Sequence, residues 1–336
     1  MIPNYTEEQI LGIVRWAQDD LGTDPDRCYL SGGSMGGSGS VSLGFHHPHI
    51  FTHINVRVPA VAYTPEGNLW RLECFCGPLD TTAVNHKGEP FLAHMNGILT
   101  AQRSRTDLPF LVMRSGRTDR SIPWANKPAF YRAMNTARQG FVAYWSNGGH
   151  ADADRDFPGD SHYAPARKKF GLDLSYLAFS NASHNGNPGN GDPEDGDLVG
   201  WINRGLDWEG IEDTPDGYAV TVLAYYEGLA YPVTVDVTPR RLQRFKVEAG
   251  EAVIVRVDGE DSQSIRADDN GLITVPRVRI TDREGTRIRI AAPAFQEFYL
   301  RRVSVAGYAL LPHAAVCGDP PVGCGDALPG RVQPGI

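Results

Sequence analysis

The chain has 336 residues, of which 41% are hydrophobic and 21% are charged, a composition typical of a folded globular protein and not of a disordered one. Its formal net charge of −8 argues against a nucleic-acid partner, because phosphates favour a basic surface. No run of about 18 apolar residues occurs, so we expect no transmembrane helix and no membrane partner.

The first six residues contain neither the basic nor the apolar stretch of a secretory signal, so we expect no export signal in this sequence. The five cysteines leave the cellular compartment open. Cys317 and Cys324 lie in a Pro/Gly-rich tail where a disulfide is the simplest role, Cys74 and Cys76 flank one residue, and Cys28 lies inside a predicted strand. No further cysteine or histidine pair stands at ligand spacing, so we predict no metal site and no cofactor.

The opening segment reads as an amphipathic helix. Residues 6–9 resemble a capping box, and apolar residues then recur at helical spacing as far as Leu21. We expect this helix to end near Gly22. Asp24-Pro25-Asp26 then predicts a turn into a short strand that ends at Leu30.

The stretch from residue 27 to 45 is the most informative part of the chain. A Gly-x-Ser-x-Gly turn, Gly32 to Gly36, follows the strand and precedes a segment of small residues that predicts a helix. This order is that of a nucleophile elbow, in which the serine adopts a strained backbone conformation. We therefore predict that Ser34 is a nucleophile and that Met35 N–H faces a developing oxyanion. Because the glycines at 32 and 36 lack side chains, they would keep the strand and the helix from colliding. The alternative to a nucleophile elbow is a Gly/Ser-rich turn without a catalytic role.

The helix after the elbow is expected to stop around residues 46–48. Histidines at 46, 47 and 49 suggest a metal cluster, but a proline among them and the helix end favour a capped, solvated terminus. Phe51 to Val58 then reads as the next strand of a parallel sheet. Residues 59–107 look irregular, and we expect them to form one wall of a binding cleft.

Two further strands are predicted at residues 109–114 and 141–145, with a helix at 127–138 between them. Strands that alternate with helices imply a parallel sheet with right-handed crossovers, whose reacting groups gather at the carboxyl ends of the strands. Asp119 and His150 each follow a strand by a few residues. Asp107 precedes its strand and so lies at the wrong end of the sheet, while the competing acids at 152, 154 and 156 follow the histidine.

These residues predict a catalytic triad of Ser34, Asp119 and His150. His150 would accept the serine proton, and Asp119 would hold the imidazole in the right tautomer and stabilise its cation. The chain order Ser, Asp, His is that of the α/β-hydrolases.

Residues 6–165 resemble the second half of an α/β-hydrolase of the secreted esterase and polyhydroxyalkanoate-depolymerase kind. The resemblance rests on the 24–27 turn (DPDR), the 32–37 elbow (GGSMGG), His47-Pro48, the 116–123 segment (GRTDRSIP) and Gly148-Gly149-His150. It implies a partial α/β-hydrolase fold, ester hydrolysis and an extracellular location.

The front of the chain departs from that family, which places about four strands and a helix before the helix that begins here near Thr6. The absent part would carry the loop that donates a second oxyanion N–H, so only that of Met35 is assignable. The elbow strand would then be an exposed sheet edge. We expect that edge to be closed by a second copy of the chain or by a complementing polypeptide.

Beyond about residue 166 the pattern becomes β, and we predict an all-β sandwich of immunoglobulin or fibronectin type. The predicted strands are 218–226, 233–237, 252–257, 271–275, 287–290 and 298–305. Asp192, Asp195 and Asp197 lie among glycines and suggest either calcium binding or, as we favour, a solvated acidic turn. We thus expect a hydrolase domain at 1–166, a β-sandwich at 167–311 and a Pro/Gly-rich tail at 312–336.

The sequence therefore predicts a serine esterase that acts through an acyl-enzyme on a small ester, a polyester or a feruloylated polysaccharide. Trp70 and Trp124 are candidate substrate-binding residues, although core packing explains both equally well. Two alternatives remain, a serine peptidase with the same triad and a non-catalytic binding module.

Overall fold

The computed structural model describes residues 2, 4–79, 82–157 and 169–292. The predicted strand at 298–305, the cysteines at 317 and 324 and the predicted tail lie outside these residues. Residues Met1–Pro293 form one compact unit. A domain boundary near residue 166 therefore stays a prediction.

The first part is a parallel sheet flanked by helices, which confirms the predicted mixed α/β class. Its elements are α1 (Tyr5–Leu21), β1 (Cys28–Gly33), α2 (Ser34–His46), β2 (Phe51–Arg57), α3 (Leu69–Cys76), α4 (Phe91–His94), α5 (Gly97–Arg103), β3 (Phe110–Gly116), α6 (Lys127–Thr136) and β4 (Phe141–Ser146). The strand order is β1-β2-β3-β4, with every neighbour parallel. Strands β3 and β4 are buried along their whole length, because α2, α5 and α6 cover one face and strands from later in the chain cover the other.

Two local predictions about this part are wrong. Residues 59–107 are not irregular but contain α3, α4 and α5, and the side chain of Asn96 caps α5 by accepting from two backbone N–H groups. The capping box at 6–9 does not form, since Asn4 is the N-cap of α1 and residues 6–9 lie inside the helix. The carboxylate of Glu7 instead faces His46 and His47. The predicted end of α1 is correct, with Gly22 in the left-handed conformation at φ 62°.

Antiparallel strands follow. They are β5 (Tyr176–Ser180), β6 (Gly200–Ile202), β7 (Leu206–Thr214), β8 (Gly217–Ala224), β9 (Val233–Arg240), β10 (Ala252–Val257), β11 (Gln263–Arg266), β12 (Val275–Ile280) and β13 (Thr286–Ala291). Strand β6 pairs with β4 and extends the parallel sheet, while the others form one sheet of order β11-β10-β13-β8-β7 and one of order β12-β9-β5. Buried residues of both sheets belong to one hydrophobic cluster, which also contains Phe110 and Val112 of β3. The immunoglobulin or fibronectin type stays a prediction.

Of the predicted β segments, four match β8, β9, β10 and β13 closely. The segment 271–275 is wrong, because the Asp268 carboxylate accepts from the N–H groups of Asn270 and Leu272 and closes a turn there. Strands β5, β6, β7, β11 and β12 were not predicted, apart from Val275 at the start of β12. Among the described residues, no helix is long and apolar enough to cross a membrane.

Candidate active site

Strand β1 and helix α2 meet at Ser34 without an intervening loop. Gly33 is the last residue of β1 and Ser34 the first of α2. Ser34 has a φ of 55°, a left-handed conformation that a residue with a side chain rarely adopts. The strained elbow that the sequence predicted is therefore present, and it holds the Ser34 hydroxyl at the carboxyl end of the strand.

The glycines of the elbow have unequal roles. A Cβ at position 32 would lie 2.5 Å from the carbonyl carbon of Gly36, so the backbones of β1 and α2 touch there. A Cβ at position 37 would lie 3.1 Å from the Arg57 carbonyl oxygen, whereas one at position 36 would meet nothing within 4 Å. The prediction that a side chain at position 36 would collide is therefore wrong. The close approaches are at Gly32 and Gly37.

The three residues of the predicted triad are hydrogen-bonded in series. Ser34 Oγ lies 2.8 Å from His150 Nε2, and His150 Nδ1 lies 2.8 Å from Asp119 Oδ2. Because a carboxylate accepts, the proton of the neutral imidazole belongs on Nδ1, and Nε2 is left to accept from the serine hydroxyl. These residues follow the carboxyl ends of β1, β3 and β4, which point to the same side of the parallel sheet, with β2 between β1 and β3.

The Asp119 carboxylate is fixed on both oxygens. Its side chain is 1% exposed, and Oδ1 accepts from the N–H groups of Ser121 and Ile122 at 2.7 and 2.9 Å. These two bonds orient the group so that Oδ2 faces His150. They also satisfy the second oxygen of a buried carboxylate, which would otherwise carry a desolvation cost.

Arg57, which the sequence did not single out, holds the His150 loop. It follows the last buried position of β2 and donates to the carbonyl oxygens of His150 and Ala151 at 3.0 and 2.6 Å, and to the Asp154 carboxylate at 2.6 Å. The signal that could have found Arg57 is its position, since it is a charged residue at the carboxyl end of a predicted parallel strand. Arg57 is a positioning residue, since it contacts the main chain of His150 and not the ring.

A cleft of about 430 Å³ opens beside the Ser34 hydroxyl. Its lining joins the elbow to α3, and consists of Ser34, Met35, Ser38, Ala60, Tyr63, Asn68, Arg71, Leu72, Phe75, Ser121 and Ile122. Met35 and Phe75 are exposed, so the cleft has an apolar mouth. Ser38 ties its wall to the elbow, since its Oγ donates to the Ser34 carbonyl and accepts from Ala60 N–H.

The two tryptophans of the sequence prediction lie elsewhere. Trp124 is 1% exposed and packs in the hydrophobic core, where its Nε1 donates to the Pro188 carbonyl oxygen. It does not line the cleft, so the prediction that it contacts substrate is wrong. Trp70 is exposed on α3 beside Arg71 and next to the cleft lining, and its role stays a prediction.

The acidic loop is organised by Arg117, whose buried guanidinium donates to the carbonyl oxygens of residues 188, 192, 193 and 195. The side chains of Asp192, Asp195 and Asp197 each accept from a backbone N–H inside the loop. The positive charge that these carbonyl oxygens contact is therefore the guanidinium of Arg117. Among the described residues, a set of donor atoms close enough to share a metal ion occurs at Glu7, His46 and His94, away from Ser34.

A model of the Esterase family, described as "Putative esterase", matches residues 3–176. No curated protein matches the chain in a sequence search. Among solved structures, an S-formylglutathione hydrolase from Agrobacterium tumefaciens is similar at 15% identity and a TM-score of 0.32, over 43% of this chain and 55% of the other.

Two other solved structures are similar to the same degree. Esterase 2 of Thermogutta terrifontis, phosphoramylated by tabun, has 19% identity and a TM-score of 0.30, over 42% of this chain and 52% of its own. Carboxyl esterase 2 from the mycorrhizal fungus Tuber melanosporum has 15% identity and a TM-score of 0.30, over 48% and 57%. The chain therefore spans about half the length of the solved structures it matches.

Proposed function

The chain belongs to the Esterase family, and from this premise we propose that it is a serine hydrolase that cleaves carboxylic esters. The observation that carries the proposal is the hydrogen-bonded series Ser34, His150, Asp119 at the mouth of a cleft. A hydroxyl becomes an effective nucleophile when an oriented base stands ready to accept its proton. The two 2.8 Å contacts supply that base and its orientation.

In the acylation step, Ser34 Oγ attacks the ester carbonyl carbon while its proton passes to His150 Nε2. The Asp119 carboxylate stabilises the imidazolium that forms. The tetrahedral intermediate then collapses, the bond to the alcohol oxygen breaks, and the alcohol leaves with the proton from Nε2. The acyl group remains on Ser34 Oγ.

Deacylation repeats the sequence with water as the nucleophile. His150 Nε2 takes a proton from water as its oxygen attacks the acyl carbon. Collapse of the second intermediate returns the proton to Ser34 Oγ and releases the carboxylic acid. The protein thus ends each cycle in the state in which it began.

Negative charge on the carbonyl oxygen is stabilised at the start of α2. The Met35 N–H lies in the first turn of this helix, where backbone donors lack acceptors within the helix and the dipole favours an anion. We assign it as one oxyanion donor. A donor of this kind contributes about 3 kcal/mol to stabilisation of the transition state.

The cleft favours a substrate with an apolar group. Leu72 and Phe75 of α3 face it together with Met35, so burial of an alkyl or aromatic group is favourable there. An apolar mouth that is open to solvent also suits a substrate longer than the cleft. Polyesters and feruloylated polysaccharides are the polymeric candidates that we propose, and secretion would accompany such substrates.

An activity-based probe tests the proposal most directly. A fluorophosphonate should label the chain at Ser34, and Ser34→Ala and His150→Ala should each lower kcat/KM for p-nitrophenyl esters by about 10⁴-fold or more, because the triad acts as one unit. Ser31→Ala is the matched control, since Ser31 is an exposed serine three residues upstream, and it should retain activity.

Three outcomes would contradict the proposal. A folded protein that the probe does not label would indicate a binding module. Faster turnover of peptide anilides than of esters would indicate a peptidase. Retention of most ester hydrolysis by Ser34→Ala would remove Ser34 as the nucleophile.

A further inference from the structure

One face of α3 lines the cleft beside Ser34. Asn68, the N-cap of this helix, is followed at helical spacing by Arg71, Leu72 and Phe75, and all four line the cleft. Residues at positions i, i+3, i+4 and i+7 lie on one side of a helix. The first two are polar and the last two are apolar. A ligand that lies along α3 therefore meets polar groups at one end and apolar groups at the other.

Arg71 brings a positive charge to this cleft. Within the described part of the chain, it is the one charged residue in the lining, and no acidic residue lines the cleft. The whole chain has a formal net charge of −8, so this positive charge does not follow from the overall composition. A cation in a substrate cleft attracts anions and raises their local concentration.

The guanidinium of Arg71 has no acidic partner among the described residues. Its Cζ lies 4.6 Å from the centre of the exposed Trp70 ring. Stacking on an aromatic ring occupies one face of the planar guanidinium and leaves the N–H groups at its edge free to donate. By contrast, Arg57 and Arg240 each pair with a carboxylate at 2.6 Å. Arg71 is therefore held in place without being neutralised.

Asn68 also indicates that the cleft binds a polar group. It is 3% exposed, and its Oδ1 is buried without a hydrogen-bond partner among the described residues. Its side chain does not cap α3, whereas that of Asn96, the N-cap of α5, accepts from two backbone N–H groups. A buried amide without a partner is destabilising, so such groups are rare in native proteins. Because Asn68 lines the cleft, a polar group of a ligand can supply the partner.

We propose that the cleft selects esters that carry an ionised carboxylate elsewhere in the molecule. The carboxylate binds the edge of the Arg71 guanidinium, where two parallel N–H···O bonds can form. It also accepts from Asn68 Nδ2, which a half-turn of the side-chain amide places toward the anion. The apolar part of the ester lies against Leu72 and Phe75. The proposal rests on the proposed ester hydrolysis, because it concerns a substrate whose carbonyl carbon Ser34 attacks.

Two classes of ester meet this description. In a monoester of a dicarboxylic acid the carboxylate belongs to the acid part, and in an ester of a hydroxy acid it belongs to the alcohol part. Small members of both classes suit a cleft of about 430 Å³. A neutral ester of the same size makes the apolar contacts alone, so we expect its kcat/KM to be lower.

Pairs of substrates that differ only in charge test the selection. Mono-p-nitrophenyl adipate and O-butyrylglycolate represent the two classes, and the primary amide of each is a neutral analogue of the same size. At low ionic strength, kcat/KM for at least one of the acids should exceed that for its amide by about fivefold or more. The rate of spontaneous hydrolysis is measured without protein and subtracted.

Variants assign this ratio to the cleft. Arg71→Met should reduce the ratio to about one, and Arg71→Glu should reduce it below one, because a carboxylate repels the anion. Asn68→Ala should lower the ratio as well. Arg105→Met is the matched control and should keep the ratio, since Arg105 is exposed, lies outside the cleft lining and likewise has no carboxylate partner among the described residues. A ratio near one for both pairs in the wild type, or a ratio that survives in Arg71→Met, overturns the proposal.

Binding without turnover separates this proposal from the proposed function. Ser34→Ala lacks the nucleophile, so the Kd of monomethyl adipate and that of O-butyrylglycolate can be measured on it by ligand-observed NMR. At least one Kd should rise by about fivefold or more when Arg71→Met is added. If the wild type hydrolyses no ester but this rise is found, the proposed function fails and the carboxylate site stands. If esters are hydrolysed and neither Kd changes, the carboxylate site alone fails.

Discussion

Lys127 is a buried cation close to the triad. Its side chain lies at the start of α6, is 2% exposed as a residue, and donates from Nζ to the Pro59 carbonyl oxygen at 2.7 Å. Burial lowers the pKa of Lys127 to about 8, against the opposing effect of the Asp119 charge. An unfolded lysine keeps its proton up to about pH 10.4. Between about pH 8 and pH 10.4, the unfolded chain therefore binds more protons at Lys127 than the folded chain does. The contribution of Lys127 to stability consequently rises with pH in this range.

Replacement of Lys127 should therefore change how stability depends on pH. We predict that the unfolding free energy of the wild type, minus that of Lys127→Met, grows by up to about 1.4 kcal/mol per pH unit between about pH 8 and pH 10. Burial also raises the pKa of Tyr131, but both proteins contain it and its effect cancels in the difference. Urea unfolding followed by circular dichroism measures the two curves. Parallel curves would mean that Lys127 titrates as an exposed lysine does.

At the residue scale, the sequence predicted a triad of Ser34, Asp119 and His150, because each follows a strand and the chemistry restricts the residue types. The three side chains are hydrogen-bonded in series, and their catalytic roles stay a proposal. The sequence did not locate Arg57 or Glu7, whose partners lie 93 and 39 residues further along the chain. No local pattern reports such a contact. The role of Trp124 could not be predicted from its residue type, because an indole ring suits a core and a cleft equally well.

At the scale of elements, the contact between β1 and α2 gives a paired prediction. Gly32→Ala should destabilise the chain by about 2 kcal/mol or more and lower any esterase activity, because its Cβ would overlap the backbone at position 36. Gly36→Ala should leave activity close to that of the wild type, since its Cβ would meet nothing within 4 Å.

Thermal unfolding and ester turnover of the two variants provide the measurement. Each variant adds one methyl group to the same turn, so the pair differs in the contact alone. Equal behaviour would contradict the view that β1 and α2 touch at Gly32.

Prediction of helices and strands succeeded where the spacing of apolar residues and the turn residues at the ends agreed. It failed where tertiary contacts determined the local structure. Strands β2, β3 and β4 are apolar runs with turn residues at their ends, and their limits differ from prediction by at most two residues. Helices α3 to α5 were missed because they are short, and their stability comes from packing and from caps such as Asn96. Residues 6–9 looked like a capping box, yet Glu7 pairs with histidines from another helix.

At the scale of the whole molecule, β1 is the element at which we expect another polypeptide to bind. It lies at the edge of the parallel sheet, and within the described part of the chain no strand pairs with its outer side. Its residues are at most half-buried, whereas β3 and β4 are buried throughout. The neighbouring α1 exposes Ile13 and Trp16 at 55% and 54%. An open strand edge beside apolar side chains favours association.

We therefore predict that the 336-residue chain self-associates through β1 and α1, so that its weight-average mass in sedimentation rises with concentration. Trp16→Glu should shift this equilibrium toward the monomer, because a carboxylate in an apolar interface must be desolvated without a partner. Leu198→Glu is the matched control, since Leu198 is equally exposed at 49% but lies in the loop before β6. If the wild type is monomeric at every concentration, or if both variants weaken association equally, then the free side of β1 is not the contact surface.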